Sequence, residues 1–333
     1  MTTNLIYGAS IRGDVENALS LCAMVVTDNN VAELYPNLAA NAFVIPAGEK
    51  SKSLETLTAI LTEMDARGLK RTDRIAALGG GVVGDVVGLA ASLYMRGIDW
   101  VVIPTTLLAM VDSCIGGKTA IDMFGAKNLI GSFHAPAHVV ISYDFLETLY
   151  SEDWLCGYGE IIKTCLLTEK SYNLLLGSID GMISYDRKIV YELIEKCIEI
   201  KNAVVNADPT EKRMRKILNV GHTVGHALEV LDGYKSSHGE YVLKGIMTEC
   251  AMCKDLVDPE YYEQIISLCK RFVAPPRTTS GSVIKRAVRD KKNDGENITV
   301  MLPISAGEVV ELHISQADFA PRYDRAIKEL KKA

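Results

Sequence analysis

The sequence predicts an α/β, Rossmann-like N-terminal domain over residues 1–150 and a mainly α-helical C-terminal domain over residues 151–333, with an active site in the cleft between them. Three observations predict this arrangement. Short apolar runs alternate with helical patterns through the first half, as in a mostly parallel sheet covered on both faces. A glycine-rich turn follows one of those runs and opens a helix. Beyond about residue 150 the apolar residues recur at helical spacing instead. The chain has 333 residues, 48% hydrophobic and 23% charged, which excludes disordered, collagen-like and rod-like classes and fits about two domains.

In the first half, residues 23–27 read as a strand ending in Asp28-Asn29-Asn30, and residues 42–46 as a second strand. Residues 54–67 carry helical periodicity. Residues 74–78 form a strand entering the glycine-rich turn, and residues 100–104 and 138–141 follow as strands. In the second half, residues 185–205, 214–231 and 239–256 each read as helical. A short strand pair is expected at 298–302 and 309–313, followed by a solvated terminal helix bearing Arg325, Lys328 and Lys331. No internal repeat is visible.

Lys and Arg number 36 against 42 Asp and Glu, a net charge of −6, which argues against a nucleic-acid partner. The eight Cys are scattered through apolar sequence, and Met1 to Leu5 lacks the basic and apolar regions of a signal peptide. A cytoplasmic protein with reduced thiols is expected. Cys250 and Cys253 form a CxxC in a helical stretch and read as core thiols. Residues 75–95 carry one charge, Asp85, near their middle. A carboxylate there would cost about 2.5–3.5 kcal/mol in a bilayer, so strand, turn and helix is the better reading than a membrane span.

Gly79-Gly80-Gly81-Val82-Val83-Gly84 fits G-x-G-x-x-G between a strand and a helix. Glycine lets the backbone approach a pyrophosphate, whose charge then faces the amides of the helix start. The pattern departs from the usual fingerprint: it lies several connections into the chain, and an acidic residue, Asp85, follows at once rather than about 20 positions later. Pro104-Thr105-Thr106 ends another strand, where the hydroxyls either meet a ligand or cap a helix.

His222 and His226 are spaced i and i+4 and share a helix face. His238 follows, so three of the six His fall between positions 222 and 238. Glu160 and Lys163 stand at i and i+3. A carboxylate with two or three imidazoles is a zinc-type donor set with a position left for water or substrate. Basic residues punctuate these regions among glycine and apolar neighbours: Arg96, Lys118, Lys127, Lys163, Lys201, Arg215 and the pair Lys291-Lys292. Buried cations require anionic partners, which a phosphorylated, carboxylate-bearing substrate would supply.

Taken together, GGGVVGDVVGLAASLYMR (79–96), IPTTLLAMVDSCIGGKTAIDMFGAKNLIG (103–131), the EIIK ending at Lys163, LNVGHTVGHALE (218–229) and HGE (238–240) resemble 3-dehydroquinate synthase, in order and over nearly the whole chain. The resemblance implies conversion of 3-deoxy-D-arabino-heptulosonate 7-phosphate, a phosphorylated sugar acid, to 3-dehydroquinate and phosphate. It implies NAD, a divalent metal (most often Zn2+, with Co2+ an alternative) and a homodimer. It makes Glu160, His222 and His238 metal ligands and His226 a catalytic histidine outside the ligand set. Asp112, Lys118, Lys163, Lys201, Arg215, Asn219 and Lys291 or Lys292 become substrate contacts, with Lys292 preferred, and Arg96 reaches the phosphate from the neighbouring subunit. For NAD the matching positions are Asp28, Asn30, Glu49, Lys52, Gly81, Val82, Val83, Gly84, Asp85, Thr105, Thr106, Lys118, Lys127, Asn128, Phe145 and Thr148. The competing readings are another sugar-phosphate cyclase, such as an aminodehydroquinate synthase, a metal-dependent polyol dehydrogenase, and a catalytically silent nucleotide sensor.

Overall fold

The computed structural model describes residues 3–288 and 297–332. The chain divides into two compact units, Met1–Tyr150 and Ser151–Ala333. The first contains β1 (Asn4–Tyr7), α1 (Glu16–Ser20), β2 (Met24–Asp28), α2 (Asn29–Leu34), β3 (Phe43–Ile45), α3 (Leu54–Ala66), β4 (Arg74–Gly79), α4 (Gly81–Leu93), β5 (Asp99–Pro104), β6 (Lys118–Met123), β7 (Ala126–Phe133) and β8 (His138–Ile141). Six strands form a parallel sheet in the order β1-β8-β5-β4-β2-β3, and β6 and β7 form a separate antiparallel hairpin.

The central strands are apolar throughout because both faces are covered. Ile75, Ala76, Ala77 and Leu78 of β4 and Val101, Val102 and Ile103 of β5 are all buried. From β2 the chain runs outward to β3, whereas from β4 it runs the other way to β5. The direction of winding therefore reverses between β2 and β4, and the carboxyl ends of these strands flank the crevice where open α/β sheets bind ligands. Asp28 does more than end a strand: its Oδ1 accepts from the Val31 amide at 2.9 Å and caps α2.

The second unit contains α5 (Ser151–Cys165), α6 (Glu169–Ile183), α7 (Arg187–Ala207), α8 (His222–Leu231), α9 (His238–Met252), α10 (Pro259–Lys270), α11 (Ser280–Ala287), β9 (Asn297–Ser305), β10 (Glu308–Ser315) and α12 (Gln316–Lys332). Two expectations need correction here. The helical pattern over 214–231 is two pieces, a 3-10 segment Met214–Asn219 and α8, separated by Gly221 in the left-handed region at φ 74°. The terminal helix is solvated on one face only, since Phe319, Tyr323, Ala326, Ile327 and Leu330 are buried. Cys250 and Cys253 are buried free thiols within the core.

Backbone-to-backbone approaches pack the helices that matter most. A Cβ on Gly159 of α5 would lie 2.3 Å from the carbonyl oxygen of Gly239 in α9, and one on Gly225 of α8 would lie 2.8 Å from that of Tyr241. Glycine at these positions lets α5, α8 and α9 bring the residues beside them together. Among the described residues, no helix is long and apolar enough to cross a membrane.

Candidate active site

α5 carries Glu160 and Lys163, α8 begins at His222 and includes His226, and α9 begins at His238. The ring centroids of His222 and His226 are 4.9 Å apart, and those of His222 and His238 are 5.4 Å apart. One nitrogen from each of the three histidines lies within 4.8 Å of the others. Glu160 is fully buried, with Oε1 3.3 Å from His238 Nε2 and 3.7 Å from His222 Nε2. Its other oxygen pairs with Lys163, also buried.

The outer contacts of two rings face away from this centre. His222 Nδ1 lies 3.0 Å from the Val220 carbonyl, and His238 Nδ1 lies 3.6 Å from Glu229. Each contact favours the tautomer that leaves Nε2 free to ligate, the arrangement in which a carbonyl or carboxylate orients a metal-bound histidine. Burial disfavours a charge on His238, yet Glu160 and Glu229 outweigh it and push the imidazolium up to about 10. Burial raises the thiol of Cys156, one turn before Glu160, to about 11. One buried carboxylate and clustered imidazoles suit Zn2+ or Co2+.

In the same unit Lys201 and Arg215 are buried cations. Arg215 Nη1 donates to the Pro209 carbonyl at 2.8 Å, and its amide donates to Asp208 at 3.1 Å. Asn219 Nδ2 donates to Glu211 at 2.8 Å and to the Lys216 carbonyl at 3.1 Å. Lys291 and Lys292 lie outside the described residues.

In the first unit, the sequence-derived cofactor residues gather at the carboxyl ends of the strands. Asp28 ends β2 and Asn30 follows it, Glu49 and Lys52 follow β3, Gly81 to Asp85 follow β4, Thr105 and Thr106 follow β5, and Phe145 and Thr148 follow β8, whereas Lys118, Lys127 and Asn128 lie in the β6–β7 hairpin. Gly80 caps α4 in an extended conformation without a side-chain bond, so the first amides of a 13-residue helix face the crevice. A Cβ on Gly80 would crowd Thr106 Cγ2 at 3.1 Å and one on Gly81 would crowd Ser113 at 3.1 Å. A glycine cradle at a helix start fits a dinucleotide pyrophosphate. Val82 is half-buried, whereas Val83 is buried under Gly79. The third glycine of the pattern is not the one that permits close packing. Gly84 leaves 3.8 Å to Val102, whereas a Cβ on Gly88 would meet Thr119 at 2.5 Å and Trp100 at 2.8 Å.

Several side chains have local duties. Thr106 Oγ1 accepts from the Ala109 amide at 3.2 Å, the capping alternative. The Thr148 hydroxyl lies 3.0 Å from Tyr35 Oη, and Phe145 is buried against the Tyr35 ring. Lys52 is buried, bonds Asp85 at 2.6 Å and also reaches Asn128 in the β6–β7 hairpin. Lys127 lies 3.3 Å from Glu49 at the surface. Asp112 is half-buried. Lys118 and Arg96 are exposed, so the expectation that cations among glycine neighbours are buried is corrected for these two. Arg96 follows α4 with φ 65°. Two further carboxylates, Glu229 and Glu249, are buried beside the histidines. Glu229 follows His226 by three positions, a helical spacing that could have drawn attention to it.

Family models for the 3-dehydroquinate synthase N-terminal and C-terminal domains match residues 42–156 and 157–293. The chain belongs to the 3-dehydroquinate synthase family. The 3-dehydroquinate synthase of Alkaliphilus metalliredigens (strain QYMF) is 35% identical over 312 residues, covering 89% of this chain and 88% of the relative. That of Thermoanaerobacter pseudethanolicus (strain ATCC 33223 / 39E) is 42% identical over 265 residues, covering 75% and 74%. Among solved structures, 2-epi-5-epi-valiolone synthase from Streptomyces hygroscopicus subsp. jinggangensis 5008, with NAD+ and Zn2+ bound, is similar with a TM-score of 0.88 and 26% identity, covering 100% of this chain and 97% of that one.

Proposed function

We propose that this chain is a phosphate-eliminating carbon–oxygen lyase that converts 3-deoxy-D-arabino-heptulosonate 7-phosphate to 3-dehydroquinate and phosphate, with NAD and a divalent metal as cofactors. The observation that carries the reading is the set of Glu160, Lys163 and His222, all buried, with the half-buried His238, converging from three helices. Family membership supports it. When bound, NAD would supply transient oxidation of a substrate alcohol and return of the hydride, and a divalent ion would supply Lewis-acid polarisation of the substrate's hydroxyls.

The chain's own residues supply the rest. Glu160, His222 and His238 would hold the ion, the two rings oriented by the Val220 carbonyl and Glu229. Lys163 places a buried ammonium beside Glu160, where it favours loss of a proton from the alcohol being oxidised. His226, on the same helix face as His222, carries that proton, since imidazole titrates near the working pH. Lys201, Arg215 and Asn219, with Lys292, engage the substrate's anionic and hydroxyl groups and orient it, lowering the entropic cost of closure. The phosphate's own oxygen removes the proton in the elimination, so no side chain is needed for that step. The reading includes a cytoplasmic homodimer in which the exposed Arg96 contacts the neighbouring subunit's substrate.

The similarity to the valiolone synthase makes another sugar-phosphate cyclase the second reading. Incubating the loaded chain with the heptulosonate phosphate, and separately with a heptulose phosphate that lacks the carboxylate, tests between them. Phosphate release from the acid alone supports the proposal. Release only from the substrate without a carboxylate overturns it.

A further inference from the structure

We infer that Glu249 is a positioning residue for the metal centre, acting as the N-terminal cap of the helix that carries His222 and His226; the inference rests on the metal reading above. Glu249 is 1% exposed. Its Oε2 accepts from the Gly221 amide at 3.1 Å and its Oε1 accepts from the Val224 amide at 2.8 Å. Gly221 is the N-cap of α8, His222 is its first residue and Val224 its third. These are the amides that a capping side chain and its reciprocal partner ordinarily satisfy.

Gly221 cannot cap the helix for itself. A Cβ there would lie 2.5 Å from Ile246 Cγ1 and 2.7 Å from the Val242 carbonyl, and the residue has φ 74°. A Cβ on Gly245 would lie 1.8 Å from the Gly221 carbonyl oxygen. The close crossing of α8 and α9 thus removes the side chain that would cap α8, and α9 returns the missing oxygens through Glu249. The positive end of the α8 dipole and two amide donors offset the cost of burying this charge.

The same residue links the ligands. His238 and Glu249 are eleven positions apart in α9, close to three helical turns, so they lie on one stripe of that helix. One end of the stripe presents an imidazole to the ion, and the other grips the start of the helix that presents His222. Glu249 therefore fixes the spacing of His222 and His238 without touching the ion.

The test uses the full-length chain freed of metal and titrated with Co2+, reading the visible cobalt absorption and the affinity in competition with a chelator. The variants are E249Q, which keeps the length and one acceptor, E249A, and L175A, a core truncation on α6 that serves as a stability control. Glu249 variants are expected to bind Co2+ about tenfold or more weakly with an altered spectrum, E249A more so than E249Q, while L175A keeps wild-type affinity. If E249A does not fold, E249Q decides alone. Wild-type affinity and spectrum in the Glu249 variants, or an equal loss in L175A, overturns the inference. A wild-type chain that takes up no Co2+ overturns the metal reading and this inference with it, a result distinct from wild-type uptake with an unaffected E249Q.

Discussion

Lys52 Nζ lies 2.6 Å from Asp85 Oδ2, joining the segment after β3 to the helix that follows the glycine-rich turn. Burial raises the Asp85 carboxyl above its ordinary range, and the Lys52 ammonium opposes that rise. The pair explains why an acidic residue can follow the glycine pattern at once: it is a structural tie beside the glycine-rich turn.

Replacing Lys52 with Met is expected to leave Asp85 buried without its cation. Urea unfolding at neutral pH should show a loss of about 3–5 kcal/mol. The sign with pH follows from the raised carboxyl. The folded variant binds a proton more tightly than the unfolded chain, so its stability falls as pH rises from the ordinary carboxylate range, about 3.9, through the raised folded value. The deficit relative to wild type should therefore shrink in acid. A deficit independent of pH would show that Asp85 does not depend on Lys52.

Metal binding should release a proton. Glu160 and Glu229 hold His238 protonated up to about 10, and only the neutral ring ligates. Calorimetric titration of the metal-free chain with Zn2+ near neutral pH, in buffers of different ionisation enthalpy, should give at least one proton released per ion. Affinity should rise by about tenfold per pH unit for each proton displaced below that value. Binding without proton release would remove His238 from the ligand set.

His226 stands close enough to the other two imidazoles to be mistaken for a ligand. Metal analysis of H226A, E160A and H238A separates the roles. H226A is expected to retain one ion per chain with turnover down by about 10²–10⁴-fold, as for loss of a positioned proton carrier. E160A and H238A should lose the ion. Loss of metal from H226A, or unchanged turnover, contradicts its role.

The glycines of α4 give a stability contrast. Gly88→Ala forces a methyl group to within 2.5 Å of Thr119 and 2.8 Å of Trp100, and should cost about 1–3 kcal/mol. Gly84→Ala, with 3.8 Å to Val102, should be neutral or stabilising by up to about 1 kcal/mol. Thermal unfolding of the two variants decides, and equal midpoints would refute the assignment of close packing to Gly88.

Sequence periodicity revealed what was strongly patterned. The central strands are apolar runs, closed by Gly79 in β4 and Pro104 in β5, so β2, β4, β5 and β8 were readable to within a residue or so. β1 was missed because it is an edge strand of four residues, too short for a periodic signal. The β6–β7 hairpin was missed because Lys118, Asp122, Lys127 and Asn128 interrupt its pattern, and its turn uses Phe124 and Gly125 at positive φ. Helical spacing ran straight through Gly221, since periodicity does not register one left-handed residue. The donors of the histidine cluster were legible from residue type and spacing. Glu249 was not, because its role depends on a crossing of α8 and α9 that no local pattern encodes.

In the proposed reaction, oxidation of the substrate is transient and NAD is recycled. Phosphate and nicotinamide absorbance should be followed together while the NAD- and metal-loaded chain consumes the heptulosonate phosphate. The account predicts one phosphate per substrate, with NADH never exceeding the concentration of enzyme. NADH accumulating mole for mole with substrate, or substrate loss without phosphate, would contradict it.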